Sequence, residues 1–249
     1  MGLEAKIKVP AFKNVLKFMK AIREESIIVF DEEGMSVRMV DSNRVRMIQV
    51  RIDSEGFSEY ECDGRYELAV VLVRMDDIVK ALTAKDDLRL RITDQDDGTF
   101  RFALLSNGME RGIKLLNMRL MEGQRAPAWP NFDYVFSATI PADGARSFLK
   151  AAKVANDFQI SVEPDASGNG ITWAIRDDRE PLVWRPEDPT VSSPERALSL
   201  YSVEAVASLV GASVGKQDLR LRGGNDTPVE ISWIPHDGIA MAALVANRG

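Results

Sequence analysis

The sequence holds a single cysteine, Cys62, and a single histidine, His236. One cysteine excludes an intrachain disulfide, and one cysteine with one histidine supports no metal cluster, so no metal site and no cofactor is expected. Long apolar runs are also missing. No stretch is long and apolar enough to span a bilayer, and Met1-Gly2-Leu3-Glu4-Ala5-Lys6 lacks the apolar core of a signal peptide, so an intracellular protein with no membrane partner is expected. A Walker glycine loop, a dinucleotide fingerprint, a nucleophile elbow and zinc-ligand spacings are all absent. His236, in the turn-like Pro235-His236-Asp237-Gly238, has no evident catalytic partner. An enzyme is therefore not expected, and no catalytic residue is assigned.

Paired acids do occur, at Asp76-Asp77, Asp86-Asp87, Asp96-Asp97 and Asp177-Asp178. Two carboxylates can hold the cations of a metal-assisted phosphodiester hydrolysis. They also satisfy free backbone N–H groups at turns and helix starts, and that structural reading is preferred here.

What the chain does contain is a repeated pattern. Over Ala11 to Ile22, turning about 100° per residue, Lys13, Lys17 and Lys20 share one helix face while Phe12, Val15, Leu16, Met19 and Ile22 fill the opposite one. Arg146, Lys150 and Lys153 repeat the basic spacing, with Ala145, Phe148, Leu149, Ala152 and Ala155 as the apolar set. The run Asp87-Leu88-Arg89-Leu90-Arg91 recurs letter for letter as Asp218-Leu219-Arg220-Leu221-Arg222, at nearly the same displacement. One basic amphipathic helix alone is a common solvated surface element. Two echoes in register imply a duplicated domain instead. The net charge of −6 argues against a uniformly basic nucleic-acid glue, whereas cations gathered on one face of an acidic molecule would attract phosphate there alone.

In chain order, strands are expected at Lys6 to Val9, Ser26 to Phe30, Met35 to Met39, Arg44 to Ile52 and Tyr66 to Leu72. A helix built on Met75, Ile78, Val79 and Leu82 follows. Leu88 to Thr93 and Thr99 to Leu105 form a hairpin around Asp96-Asp97-Gly98, and Arg111 to Asn117 closes the first half. Periodicity lapses from Arg119 to Trp129, the candidate interdomain linker. The second half repeats the order: Val135 to Ile140, a helix entered at Pro141, Phe158 to Val162, Ile171 to Arg176, and Leu198 to Tyr201. A helix on Val203, Val206, Ala207 and Val210 then precedes Leu219 to Arg222, Val229 to Trp233 and Ile239 to Val245. The fold class is α+β: two similar domains of antiparallel sheet with two helices each, residues 1–118 and 131–249, joined by a loop over 119–130.

Gly34-Met35-Ser36-Val37-Arg38-Met39-Val40-Asp41-Ser42-Asn43-Arg44-Val45, followed by Ser54-Glu55-Gly56-Phe57-Ser58-Glu59-Tyr60, resembles the PCNA sliding-clamp family, in its archaeal rather than eukaryotic form. The resemblance covers nearly the whole chain and is more specific in the first half. It implies the DNA clamp fold, a closed ring of three subunits, and duplex DNA threaded through the hole. The residues facing phosphates would be Lys13, Lys17, Lys20, Lys80, Arg146, Lys150, Lys153 and Lys216. It further implies a hydrophobic pocket for PIP-motif partners such as DNA polymerase, flap endonuclease and DNA ligase, and a clamp loader as a partner. Carried over by position, that pocket comprises Val40, Arg44, Val45, Met47, Pro127, Trp129, Pro228, Leu244 and Val245. The subunit joint would pair Arg111 to Asn117 with Ile171 to Arg176, through Arg111, Ile113, Lys114, Trp173 and Ile175. Two departures stand out: Trp129 replaces a smaller aliphatic residue, and the fourth helix carries Glu204 and no basic residue. The resemblance places the protein in the cytoplasm of an archaeon, or the nucleus of a eukaryote, as a processivity factor in replication and repair. A specialised, checkpoint-type subunit of a heterotrimeric ring and a magnesium-dependent nuclease are the alternatives.

Overall fold

The structure, a computed structural model, describes residues 2–95, 99–165, 168–177, 179–193, 195–213 and 217–248. The chain forms two compact units. The first takes Met1–Asp41, Ile48–Ala126 and Ile234–Met241; the second takes Ser42–Met47, Pro127–Trp233 and Ala242–Gly249.

In the first unit, β1 (Gly2–Lys8) buries Leu3, Ala5 and Ile7 on one side, as period-two alternation requires. Helix α1 (Val9–Lys20) follows at once, with Pro10 in its first turn, where a missing N–H has no partner to lose. Then come β2 (Glu25–Asp31), β3 (Gly34–Val40), β4 (Arg46–Asp53), β5 (Glu59–Cys62), β6 (Tyr66–Val71), α2 (Leu72–Lys80), β7 (Asp87–Asp94), β8 (Phe100–Ser106) and β9 (Met109–Ile113). One sheet has the order β5-β1-β7-β8-β9, and β4-β3-β2-β6 run in the other. The duplicated run now has a physical reading. In β7, Leu88 and Leu90 face inward opposite Ile7 and Ala5, while Arg89 and Arg91 face outward. That outer face is a lattice of opposite charges: Lys8–Asp87 at 2.7 Å, Lys6–Glu59 at 3.3 Å, Arg89–Glu59 at 3.1 Å, Arg101–Glu110 at 2.7 Å, and Arg91 with Glu4. Such a lattice pairs Lys6, Lys8, Arg89, Arg91 and Arg101 with acids away from the helices.

After β9, Asn117 caps a single turn, α3 (Met118–Met121), its Oδ1 accepting from the Arg119 N–H at 2.9 Å. The expected strand through Asn117 thus stops at Ile113. Four helical residues are too few to show periodicity, which is why this stretch reads as a featureless loop.

The second unit repeats the order: β10 (Phe136–Pro141), α4 (Ala142–Ala151), β11 (Asp157–Asp165), β12 (Gly168–Ile175), β13 (Leu182–Trp184), β14 (Thr190–Ser192), β15 (Ala197–Ser202), α5 (Val203–Val210), β16 (Asp218–Gly223), β17 (Val229–His236) and β18 (Ile239–Val245). Its strands run β14-β10-β16-β17-β18 and β13-β12-β11-β15. Register makes the duplication explicit. β16 pairs with β10 as β7 pairs with β1, with Leu219 and Leu221 buried in the places of Leu88 and Leu90.

An aromatic cluster fills this unit's core. Trp173 lies 5.0 Å from Phe158 and meets Trp184 edge-on at 5.3 Å, with Phe148 against both tryptophans. Gly144 on α4 makes room for Trp184, since a Cβ there would stand 2.6 Å from the indole. The expectation that Ile171 to Arg176 forms a sheet edge with Trp173 at a subunit joint is corrected. β13 pairs along it, setting Trp173 opposite Trp184, Ala174 opposite Val183 and Ile175 opposite Leu182. Trp173 is wholly buried inside its own unit, and β13 is the edge. A three-residue strand carries no alternation to read. Replacing Trp173 by alanine is expected to cost about 3–5 kcal/mol, read as a lowered urea midpoint, because the cavity it leaves is lined by rings that cannot collapse into it.

Candidate nucleic-acid interface and partner groove

Helix α2 buries Leu72, Met75, Asp76 and Val79. Asp76 therefore sits inside the stripe where an apolar residue belongs, and a carboxylate there needs partners. It has two. Lys20 of α1 pairs with its Oδ2, and Lys80, one turn on in α2, reaches the same oxygen at 2.8 Å. Burial pushes the Asp76 carboxyl up, but hydrogen bonds from Lys20 and Lys80, reinforced by their charge, outweigh it and hold the group below its ordinary value. The Lys80 ammonium is raised by the same hydrogen bond. This corrects the reading of Asp76-Asp77 as a helix start: Asp76 is mid-helix and ties two cations together.

On α1, Lys13 donates to the Leu82 carbonyl at 2.8 Å, and Lys17 is exposed with no ion-pair partner among the described residues. In the second unit, Arg146 donates to Ser213 Oγ at 2.8 Å, Lys150 is exposed on α4, and Lys153 is exposed in the 3₁₀ turn Ala152–Val154 that follows. A groove of about 890 Å³ runs between α4 and α5, lined by Arg146, Lys150, Lys153 and Glu204 among others. Two cations join this surface that sequence reasoning missed. Arg248 lines the groove with its Nε 3.3 Å from Asp157, and Arg46 donates to Ser208 Oγ on α5 at 2.9 Å. A basic-free α5 thus acquires a guanidinium from elsewhere in its unit, which no helical spacing could signal. Lys216 lies outside the described residues.

The other acidic pairs behave as local structure. Asp86 accepts from the Thr83 N–H at 2.7 Å, Asp87 belongs to the charge lattice, and Asp177 caps the N–H groups of Arg179 and Glu180. Among the described residues no three His, Cys, Asp or Glu side chains gather as a metal-ligand set, and no helix is long and apolar enough to cross a membrane. Asp96, Asp97 and Asp178 lie outside the described residues.

Of the expected partner pocket, Val40 lies in the first unit and the other eight in the second. Met47, Leu244 and Val245 are buried; Val45, Trp129 and Pro228 are half-buried; Arg44 and Pro127 are exposed. Arg44 adopts a left-handed φ of 56° in its turn, and the Val45 carbonyl accepts from the Ala246 N–H at 2.9 Å. Trp129 is oriented by a buried carboxylate. Its Nε1 donates to Glu230 Oε2 at 3.3 Å, the Tyr134 hydroxyl donates to the same oxygen at 3.4 Å, and Arg222 Nε donates to Oε1 at 3.0 Å while its guanidinium lies 4.9 Å over the Tyr134 ring. Burial, then the Glu230 charge, pushes the Tyr134 phenol up. At the expected joint, Arg111 is exposed on β9, Ile113 is buried, Lys114 is exposed just beyond the strand, and Ile175 is half-buried on β12.

Two units with the same strand order, each carrying a helix pair that presents cations, define the class: a DNA clamp fold of the α+β type. Residues 2–124 match the family model "Proliferating cell nuclear antigen, N-terminal domain". The DNA polymerase sliding clamp of Methanothrix thermoacetophila is 25% identical over 251 residues, covering 99% of this chain and 98% of the relative. That of Natronomonas pharaonis is 26% identical, covering 88% and 86%. Among solved structures, an A. fulgidus PCNA bound to the C-terminal region of FEN-1 superposes with a TM-score of 0.86 at 20% identity, covering 99% of this chain and 98% of that one. PCNA from Thermococcus kodakaraensis gives 0.85 at 16% identity, covering 99% and 100%. The chain belongs to the PCNA-type DNA polymerase sliding clamps, homologous to the archaeal members over nearly its full length. Its function is that family's, and the family is non-enzymatic.

Because the folded Asp76 carboxyl lies below its unfolded value, its contribution to stability is present above the unfolded value and is lost as pH falls through the folded one. Asp76→Asn should therefore be less stable than the parent at neutral pH, with the difference shrinking on acidification below about pH 4, the ordinary aspartate range. Urea melts at neutral and acid pH measure this.

Proposed function

We propose that three copies of this chain close into a ring around duplex DNA and hold replication enzymes to it. Its two clamp domains would be residues 1–118 and 131–249, joined over 119–130. The observation that carries the reading is the placement of cations on α1, α2, α4 and the adjoining turn, in both repeats of a chain whose net charge is −6. Lys13, Lys17, Lys20, Lys80, Arg146, Lys150 and Lys153 face phosphates. Phosphate contact carries no base sequence, so these contacts are non-specific, salt-sensitive and compatible with sliding.

Ring closure draws support from the sheet edges. β9 ends a five-stranded sheet and β13 ends a four-stranded one. Pairing β9 of one copy with β13 of the next satisfies both edges head to tail, which is a ring-forming contact when the rotation closes. Arg111, Ile113 and Lys114 would meet Leu182 and Val183, with Trp173 and Ile175 behind them. A homotrimer is the favoured form. The protein works where the genome is, inside the cell.

Partner docking is supported by the A. fulgidus relative, seen with a FEN-1 segment. Here Val40, Arg44, Val45, Met47, Pro127, Trp129, Pro228, Leu244 and Val245 form the site, with Trp129 and Pro127 as the accessible anchors. A PIP-motif peptide, of the kind carried by DNA polymerases, flap endonucleases and ligases, docks there, and a clamp loader opens the ring.

Neutralising Lys17, Lys20 and Lys150 together is expected to shorten retention on closed circular DNA while far-UV circular dichroism stays unchanged; equal retention contradicts the inner-face assignment. Asp76→Asn releases Lys20 and Lys80, so it should tighten non-specific duplex binding and steepen the log–log salt slope by about one to two. Val183→Asp should convert a species near three times 27.7 kDa into a monomer in light scattering. A parent chain that is already monomeric would point to the heteromeric ring instead.

A further inference from the structure

Each unit has a run of four strands at the same place in the repeat, and the outer face of that run differs between the copies. In the first unit, register sets Glu67 opposite Val29 and Val29 opposite Ser36, with Ala69 opposite Ile27. In the second, the same positions hold Leu198 opposite Ser161, Ser161 opposite Thr172, and Leu200 opposite Gln159. The row continues through Ala174 to Val183. The chain crosses each sheet edge in the same way: the Leu116 N–H donates to the Ala69 carbonyl at 2.8 Å, and the Arg248 N–H donates to the Leu200 carbonyl at 2.7 Å.

The first copy displays what such a face accepts. There the segment 118–126 lies over the sheet, with Met121 buried as its anchor. Arg125 reaches Glu67 at 2.6 Å, and Gln124 meets Arg23 at 3.1 Å and Glu25 at 3.4 Å. In the second copy the latch acid Glu67 is replaced by Leu198 and Ala69 by Leu200, and both rows are free of charge. Leu198, Leu200 and Val183 are 36%, 39% and 47% exposed. Between them Gln159 is 7% exposed. By strand alternation it stands on this outer face, since Phe158 and Ile160 take the core side. The Gln159 amide offers a bound polar group both a donor and an acceptor.

We propose that this face of β13-β12-β11-β15 docks a short uncharged segment of another protein, turning once as a helix. One methionine- or leucine-sized anchor packs against Leu198 and Leu200, and one polar group pairs with the Gln159 amide. The inference stands on the internal repeat, and its anchors Leu198 and Leu200 lie on β15, at the edge of the sheet opposite the β13 edge assigned to the ring.

The probe is a fluorescein-labelled peptide of residues 116–126 of this chain carrying Arg119→Gln, Glu122→Gln and Arg125→Gln, titrated with the full-length protein and followed by anisotropy. Saturable binding is expected, weakened at least about tenfold by Leu198→Gln with Leu200→Gln and about threefold or more by Gln159→Leu, and unchanged by Val45→Glu. The substituted leucines are exposed, so the urea midpoint should hold. No saturation up to about 1 mM, or binding that survives the double substitution, overturns the proposal. So does an assembly of the parent chain beyond the trimer that the double substitution abolishes, because the occupant would then be a second copy.

Discussion

A helix laid on an antiparallel sheet can bury only one stripe of its surface, and a sheet covered on one side must pair its strands in a register that keeps every apolar residue facing that cover. Phe12, Val15, Leu16 and Met19 on α1, with Leu3, Ala5, Ile7, Leu88 and Leu90 on β1 and β7, meet both conditions together. The face of α1 that remains is left to polar residues, and here it carries Lys13, Lys17 and Lys20. The second unit solves the same problem with a different core, rings of Phe148, Phe158, Trp173 and Trp184 in place of aliphatic side chains, and leaves Arg146, Lys150 and Lys153 in the equivalent position. The cationic surface is in this sense what remains once burial has been satisfied.

Charge is then distributed with some economy. The outer face of the first unit's five-stranded sheet alternates acids and bases across strands, so its many arginines and lysines cancel locally. On the helices the cations are offset less completely. Asp76 is the exception, one buried acid holding Lys20 and Lys80, which leaves a single net positive charge where two lysines stand. Such a partial offset suits a surface that must attract a polyanion without gripping it. Glu230 works the same way, gathering Arg222, Tyr134 and Trp129 around one carboxylate and orienting the indole.

Duplication also explains where the copies differ. The sheet orders are the same, so positions can be compared strand by strand, and the copies differ on an outer face as well as in the core. Glu67 serves to fasten the segment after β9, whereas Leu198 in its place fastens nothing within the unit.

The sequence by itself determined the α+β class, the duplication, the two basic helices and the hairpin-rich strand order, because each depends on a period, of two or of 3.6 residues, long enough to be counted along the chain. Elements too short to show a period escaped it: β13 and β14 at three residues each, β5 at four, and the single turn of α3. Those short elements decide which strand is an edge, and here the edge is β13 and not β12. Only tertiary structure could bring Arg46 to α5, Arg248 into the α4–α5 groove and Asp76 between two lysines. Such contacts are set by packing between residues far apart in the chain, and local order along the sequence holds no record of them.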